Sequence, residues 1–153
     1  MPYTQTHDRP RLFYTDCGAG RPMVFVASAW LDSRMWEFQI PYLVGHGFRC
    51  VAVDRRGHGR SDSQFFLTGF TTDLRDELQS VSVLALIVHG DHDLQAPLEL
   101  CGRKTAQLVP NSTLRVYENA AHGLFVTHAD RLNADLLAFV GAHRSRAPAT
   151  AGA

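Results

Sequence analysis

Three apolar runs of strand length constrain this chain more than anything else in it: "MVFVASA" at 23–29, "FRCVAVD" at 48–54 and "SVLALIVHG" at 82–90. A run that is apolar on consecutive residues suits a strand covered on both faces. Segments of helical period separate them. In "LDSRMWEFQIPYLVGHG" (31–47), Met35, Trp36, Gln39, Ile40 and Leu43 share one helical face. Asp32 or Ser33 supplies the cap, Gly45 and Gly47 the stop, and Pro41 kinks or ends the first helical part. "TTDLRDELQSV" reads as a short helix or turn, and "APLELCGRKTAQLV" (96–109) as an amphipathic helix. "HADRLNADLLAFVGAHR" reads as a terminal helix with Leu132, Leu136, Phe139 and Val140 inward and Thr127 as its cap. "RLFYTDCG" (11–18) has the weak alternation of an edge strand, and "STLRVYEN" (112–119) that of a strand near the other edge. Strands alternating with helices predict an α/β fold of about five mainly parallel strands with helices on both faces.

The bulk properties remove several classes of function. A length of 153 residues suits one domain, taken as 1–144, with a small-residue tail at 145–153. Formal net charge is zero, so no basic surface invites nucleic acid or an anionic membrane, and little opposes self-association. Cys17, Cys50 and Cys101 are odd in number and far apart in sequence. They read as buried small hydrophobes in a reducing compartment, not as a disulfide framework. The N-terminus is polar and no apolar run reaches transmembrane length, which makes the cytoplasm the expected location.

In parallel sheets the working residues follow the C-terminal ends of strands. Those loops are "ASAW" (27–30), "DRRGHGRSD" (54–62), "GDHD" (90–93) and "NAAHG" (119–123). They supply a hydroxyl, carboxylates and imidazoles, the set that nucleophilic acyl transfer needs. The candidates are Ser28 as nucleophile, His122 as base and Asp93 as the acid that orients it, with Asp91 as the neighbouring competitor. The backbone N–H groups of Ser28, Ala29 and Trp30 are candidate donors to an oxyanion, and Ala29 and Trp30 are candidate substrate contacts. "HGDHD" also offers His89, Asp91, His92 and Asp93 as metal ligands, but these residues point differently and no second cluster matches them, so no metal is expected.

"MWEFQIPYLVGHGFRCVAVDRRGHGRSD" resembles the N-terminal half of the α/β-hydrolase superfamily, nearest its cofactor-free haloperoxidase, arylesterase and perhydrolase branch. "LALIVHGDHDLQAP" and "LRVYENAAHGLFVTHADRLNADLLAFV" resemble its C-terminal part. The resemblance implies that Asp93 and His122 match the family's acid and histidine, that the loop after "MVFV" matches its oxyanion loop, and that Ser61 and Asp62 tie down a turn. It implies no cofactor. The family places its nucleophile on a G-x-S-x-G elbow, and no such motif occurs in this sequence. The elbow, its helix, the next strand and a helical cap belong between "GHGRSD" and "TTDLRDEL", with the join near Ser63–Gly69. The family's His-Gly before the oxyanion loop is replaced by Ala27-Ser28.

With that segment gone, "MVFVASA" is expected to pair directly with "LALIVHG" and set Ser28 beside Asp93 and His122. The expectation is a small serine-type hydrolase for short or activated carboxylic esters. A catalytically inactive remnant that binds or dimerises is the alternative, as is His122 activating water with no covalent step. A homodimer, with elements exchanged between chains in one version, is the expected assembly.

Overall fold

The computed structural model describes residues 2–7, 9–28, 31–62 and 73–142. Strands β1 (Tyr3–Gln5), β2 (Arg11–Cys17), β3 (Arg21–Val26) and β4 (Phe48–Val53) form one sheet in the order β1-β2-β4-β3. Strands β5 (Ala85–Gly90) and β6 (Ser112–Tyr117) form a second. The helices are α1 (Ile40–Gly45), α2 (Arg75–Gln79), α3 (Gly102–Leu108), α4 (Leu124–Thr127) and α5 (Ala129–Ala142). β3 and β4 run parallel, as do β5 and β6, whereas β2 is antiparallel to both neighbours. Among the described residues no helix is long and apolar enough to cross a membrane.

Local chemistry explains the boundaries. Pro41 does not end a helix. It lies in the first turn of α1, where its missing N–H costs nothing. The periodic segment before it becomes a separate 3₁₀ turn, Ser33–Trp36, capped by the Asp32 carboxylate on the Arg34 N–H. The helix expected over 96–109 is confined to Gly102–Leu108; the residues before it form a turn in which the Leu100 and Cys101 N–H groups both donate to the Pro97 carbonyl. The Thr127 hydroxyl bonds back to the Gly123 carbonyl and is the last residue of α4.

Three expectations about the sheet need correcting. β2 is not an edge strand, since the short strand β1 pairs outside it. β3 is not covered on both faces: Phe25 is buried, but Val24 and Val26 on the opposite face are 66% and 56% exposed. β3 and β5 do not pair, so the five-stranded sheet is replaced by two sheets. The physical reason is in the core. Phe25, Leu43, Phe48, Cys50, Ala52 and Val140 form one apolar cluster, and Tyr117, Ala120, Leu124 and Leu132 form another. Trp36 and Leu136 pack against both clusters. The two sheets are therefore joined by side chains of α5 and the 3₁₀ turn.

Candidate functional site

The acid and the histidine are brought together by the ends of β5 and β6. Asp93 follows β5 and is buried. Its Oδ1 accepts the N–H groups of Gln95 at 3.0 Å and Ala96 at 2.9 Å. Its Oδ2 lies 2.7 Å from His122 Nδ1. One carboxylate oxygen is thus fixed by two amides and the other is left for the imidazole. Burial pushes the Asp93 carboxyl up. The Ala96 amide, then His122, then the Gln95 amide outweigh that and carry it below the usual carboxylate value. Asp91, the competitor, points away and pairs with His92 at 2.7 Å.

His122 leaves β6 through Asn119, which takes a positive φ of 56°, a conformation asparagine tolerates well. The loop is packed tightly onto β5: a Cβ on Gly90 would stand 2.1 Å from the Ala120 carbonyl oxygen. Gly90→Ala is therefore expected to destabilise the fold by about 1–3 kcal/mol and to displace the His122 ring, read by urea unfolding and by the ring's NMR shifts.

Ser28 arrives from the other sheet. It follows β3, and its Oγ lies 3.5 Å from His122 Nε2, the ring nitrogen not used by Asp93. Residues 28, 122 and 93 thus form a continuous chain of polar contacts even though β3 and β5 are unpaired. The Ser28 N–H is 3.2 Å from Met35 Sδ and is taken by it, so this amide is not free to meet an oxyanion. Ala29 and Trp30 lie outside the described residues, as does the join at Ser63–Gly69. Trp36 is a core residue, stacked near Phe25 and Phe125. A groove of about 280 Å³ lined by Thr4, Tyr14, Asp16, Arg49, Val51 and Val53 lies on the four-stranded sheet and includes none of the three site residues.

His89 is a residue whose position the sequence reading missed. By sequence it is only a candidate metal ligand. Its Nε2–H donates to the Ala96 carbonyl at 2.7 Å and lies 3.6 Å from Asp93 Oδ2. It holds the peptide unit next to the one whose N–H binds Asp93. The i, i+4 spacing of 89 and 93 across the end of β5 was the available signal. Among the described residues no cluster of three or more His, Cys, Asp or Glu has the geometry to hold a metal. Ser61 bridges β2 and β4, accepting from the Phe13 N–H and donating to the Asp54 carbonyl, while Asp62 pairs with Arg11.

The Asp93–His122 link also has a pH signature. A carboxyl held below its unfolded value near 3.9 contributes stability above that pH and loses it as pH falls through the lower folded value. The stability gap between the parent and Asp93→Asn is expected to be full at pH 6 and to close below about pH 4, measured as urea midpoints at both pH values.

A histidine fixed by a buried carboxylate beyond the ends of two parallel strands is the arrangement the resemblance to the α/β-hydrolases implies. The comparisons agree: residues 23–89 match the model of the alpha/beta hydrolase family. A non-heme chloroperoxidase of Kitasatospora aureofaciens is 34% identical over 107 residues, 69% of this chain and 34% of that protein. The chain thus spans about a third of the length of that relative. A non-heme haloperoxidase of Rhodococcus erythropolis is 23% identical over an alignment of 272 positions, covering 92% of this chain and 99% of that protein. Nearly half of those positions face no residue of this chain. Among solved structures, an esterase from Exiguobacterium antarcticum superimposes with a TM-score of 0.74 at 17% identity, over 91% of this chain and 98% of that one. The fold and the sequence likeness are those of the α/β-hydrolase superfamily, and the relatives the chain matches are non-heme haloperoxidases and esterases.

Proposed function

We propose that this protein is a compact serine-type hydrolase of short or activated carboxylic esters, with Ser28 as nucleophile. The observation that carries this reading is the contact chain Ser28 Oγ, His122 Nε2, His122 Nδ1, Asp93 Oδ2, at 3.5 and 2.7 Å. Asp93 holds the proton of His122 on Nδ1, so Nε2 presents a lone pair to the hydroxyl. His122 takes the Ser28 proton as Oγ attacks the ester carbonyl, then returns it to the departing alcohol. A water activated by the same nitrogen releases the acid. The 3.5 Å separation is longer than a productive hydrogen bond, a looseness common in sites without substrate. His122 is partly exposed, which favours small acyl groups that bring their own reactivity. No cofactor enters this scheme, and nucleic acid and membrane are not its partners. We place the protein in the cytoplasm.

Incubation with a fluorophosphonate, followed by peptide mass mapping, is expected to put the adduct on Ser28. An adduct on another residue, or ester turnover with no adduct, overturns the assignment. The exposed Val24 and Val26 beside the unpaired edge of β3 favour a second reading, a binding or dimerisation module in which a second copy covers that edge, with or without exchanged elements. Its signature is a dimer in sedimentation with neither labelling nor turnover.

A further inference from the structure

Cys17 and Cys50 are separated by 33 positions in sequence and stand directly opposite each other in the antiparallel β2–β4 ladder. The Asp54 N–H donates to the Phe13 carbonyl at 2.9 Å, one step beyond the paired residues. Alternation along the ladder from that rung makes Cys17 and Cys50 a hydrogen-bonded pair, with Cα atoms about 5.5 Å apart. That lies inside the roughly 4.4–6.8 Å that a disulfide spans. Directly opposed Cβ atoms stand about 4.5–5.5 Å apart, against about 3.5–4.5 Å in a disulfide. The wider spacing belongs to hydrogen-bonded pairs, so closure draws the two Cβ atoms together by about 1–2 Å. Cys17 is the last residue of β2, Gly18 and Gly20 follow at positive φ, and β1 pairs only with residues 11–13, leaving the outer edge of β2 unpaired beside Cys17.

The two thiols differ in access. Cys17 is exposed, which corrects its reading as a buried hydrophobe. Cys50 is 0% exposed and belongs to the core cluster with Leu43 and Val140. Burial, and then the neighbouring Cys17, push the Cys50 thiol up, so Cys50 is the slower of the pair to meet an oxidant from solvent.

We propose that Cys17 and Cys50 form a redox dithiol, with Cys17 reacting first with hydrogen peroxide and Cys50 resolving it to a reversible cross-strand disulfide. The Cys17 thiolate attacks one peroxide oxygen, the O–O bond breaks, and hydroxide leaves as water with the thiol's proton, giving a sulfenic acid. The Cys50 sulfur then attacks the Cys17 sulfur. The S–O bond breaks, and hydroxide leaves as water with the Cys50 proton. Two thiols lose two electrons, and one peroxide becomes two waters. The extra strand approach makes the bond easy to reduce, the property of a switch and not of a permanent staple. This site is independent of the ester-hydrolase reading.

The test uses the reduced full chain, which carries three cysteines. After hydrogen peroxide and a quench, thiols are counted with a chromogenic disulfide in denaturant, and non-reduced peptides are mapped by mass spectrometry. The expected result is a fall from three thiols to one, a peptide joining Cys17 to Cys50, Cys101 left free, and full reversal by dithiothreitol. In Cys17→Ser, an exposed and structurally mild change, both remaining thiols are expected to survive the same dose. Three surviving thiols in the parent, a Cys17 sulfinic acid with Cys50 still free, or a link through Cys101 or between two chains would overturn the proposal.

Discussion

His122→Ala is expected to lower kcat/KM for a nitrophenyl ester by about 10²–10⁴-fold, the range for removing a general base. Both ring nitrogens are engaged, Nδ1 by Asp93 at 2.7 Å and Nε2 by Ser28 at 3.5 Å, so the change removes the proton acceptor and strands the carboxylate. The pattern across variants is more informative than the size of the loss. If Ser28 is the nucleophile, Ser28→Ala costs about as much as His122→Ala, and the double variant costs little more, because groups that act as one unit do not add. If His122 instead activates water directly, Ser28→Ala leaves turnover nearly intact while His122→Ala abolishes it. His122 is partly exposed and outside both apolar clusters, so the unfolding midpoint is expected to fall no further than it does in Asp93→Asn at pH 6, the loss of the link to Asp93. A large shift in that midpoint would make the activity loss a folding effect and remove the argument.

How far the sequence revealed this arrangement depends on the range of the forces involved. β4, β5, β6 and the terminal helix were legible because apolar runs and helical period are local properties. The meeting of Asp93 and His122 was legible because both lie in loops that follow strands, where the resemblance places an acid and a histidine. The pairing partners of the strands were not. Whether β3 meets β5 depends on tertiary packing, and the side chains that link the two clusters, Trp36 and Leu136, come from two distant segments. β1 was missed because three residues, Tyr3–Gln5, carry too short a pattern to read. Cys17 and Cys50 looked unrelated because only the ladder register sets them opposite. His89 was misread because its partner is a backbone carbonyl, that of Ala96, and a carbonyl leaves no trace in a residue pattern.

Asp54→Ala is expected to destabilise the fold by about 2–5 kcal/mol, the cost of orphaning two amide donors, measured by urea unfolding. Asp54 is 0% exposed. Its Oδ1 accepts the Ser33 N–H at 2.7 Å and its Oδ2 the Arg60 N–H at 2.9 Å. Burial pushes its carboxyl up, but Ser33 and then the Arg60 amide outweigh that and hold it below the usual value, so it is ionised at neutral pH. The Arg60 guanidinium adds little to this. It is half exposed, and its Nε lies 3.5 Å from Oδ2, against 2.7 and 2.9 Å for the two amides. The amides decide the outcome, and Ser33 is itself buried, so no water easily replaces the lost acceptor. Asp54→Asn keeps an oxygen for one amide and turns an NH₂ toward the other, and is expected to cost about half as much. Gly59 makes the same point from the other side: with φ of 53°, any Cβ there would stand 2.3 Å from Asp54 Oδ2. Because Ser33 begins the turn that follows the Ser28 loop, this carboxylate also anchors that loop to β4. A loss below about 1 kcal/mol in Asp54→Ala would mean that water reaches the amides, and that the loop bearing Ser28 is held by something other than this network.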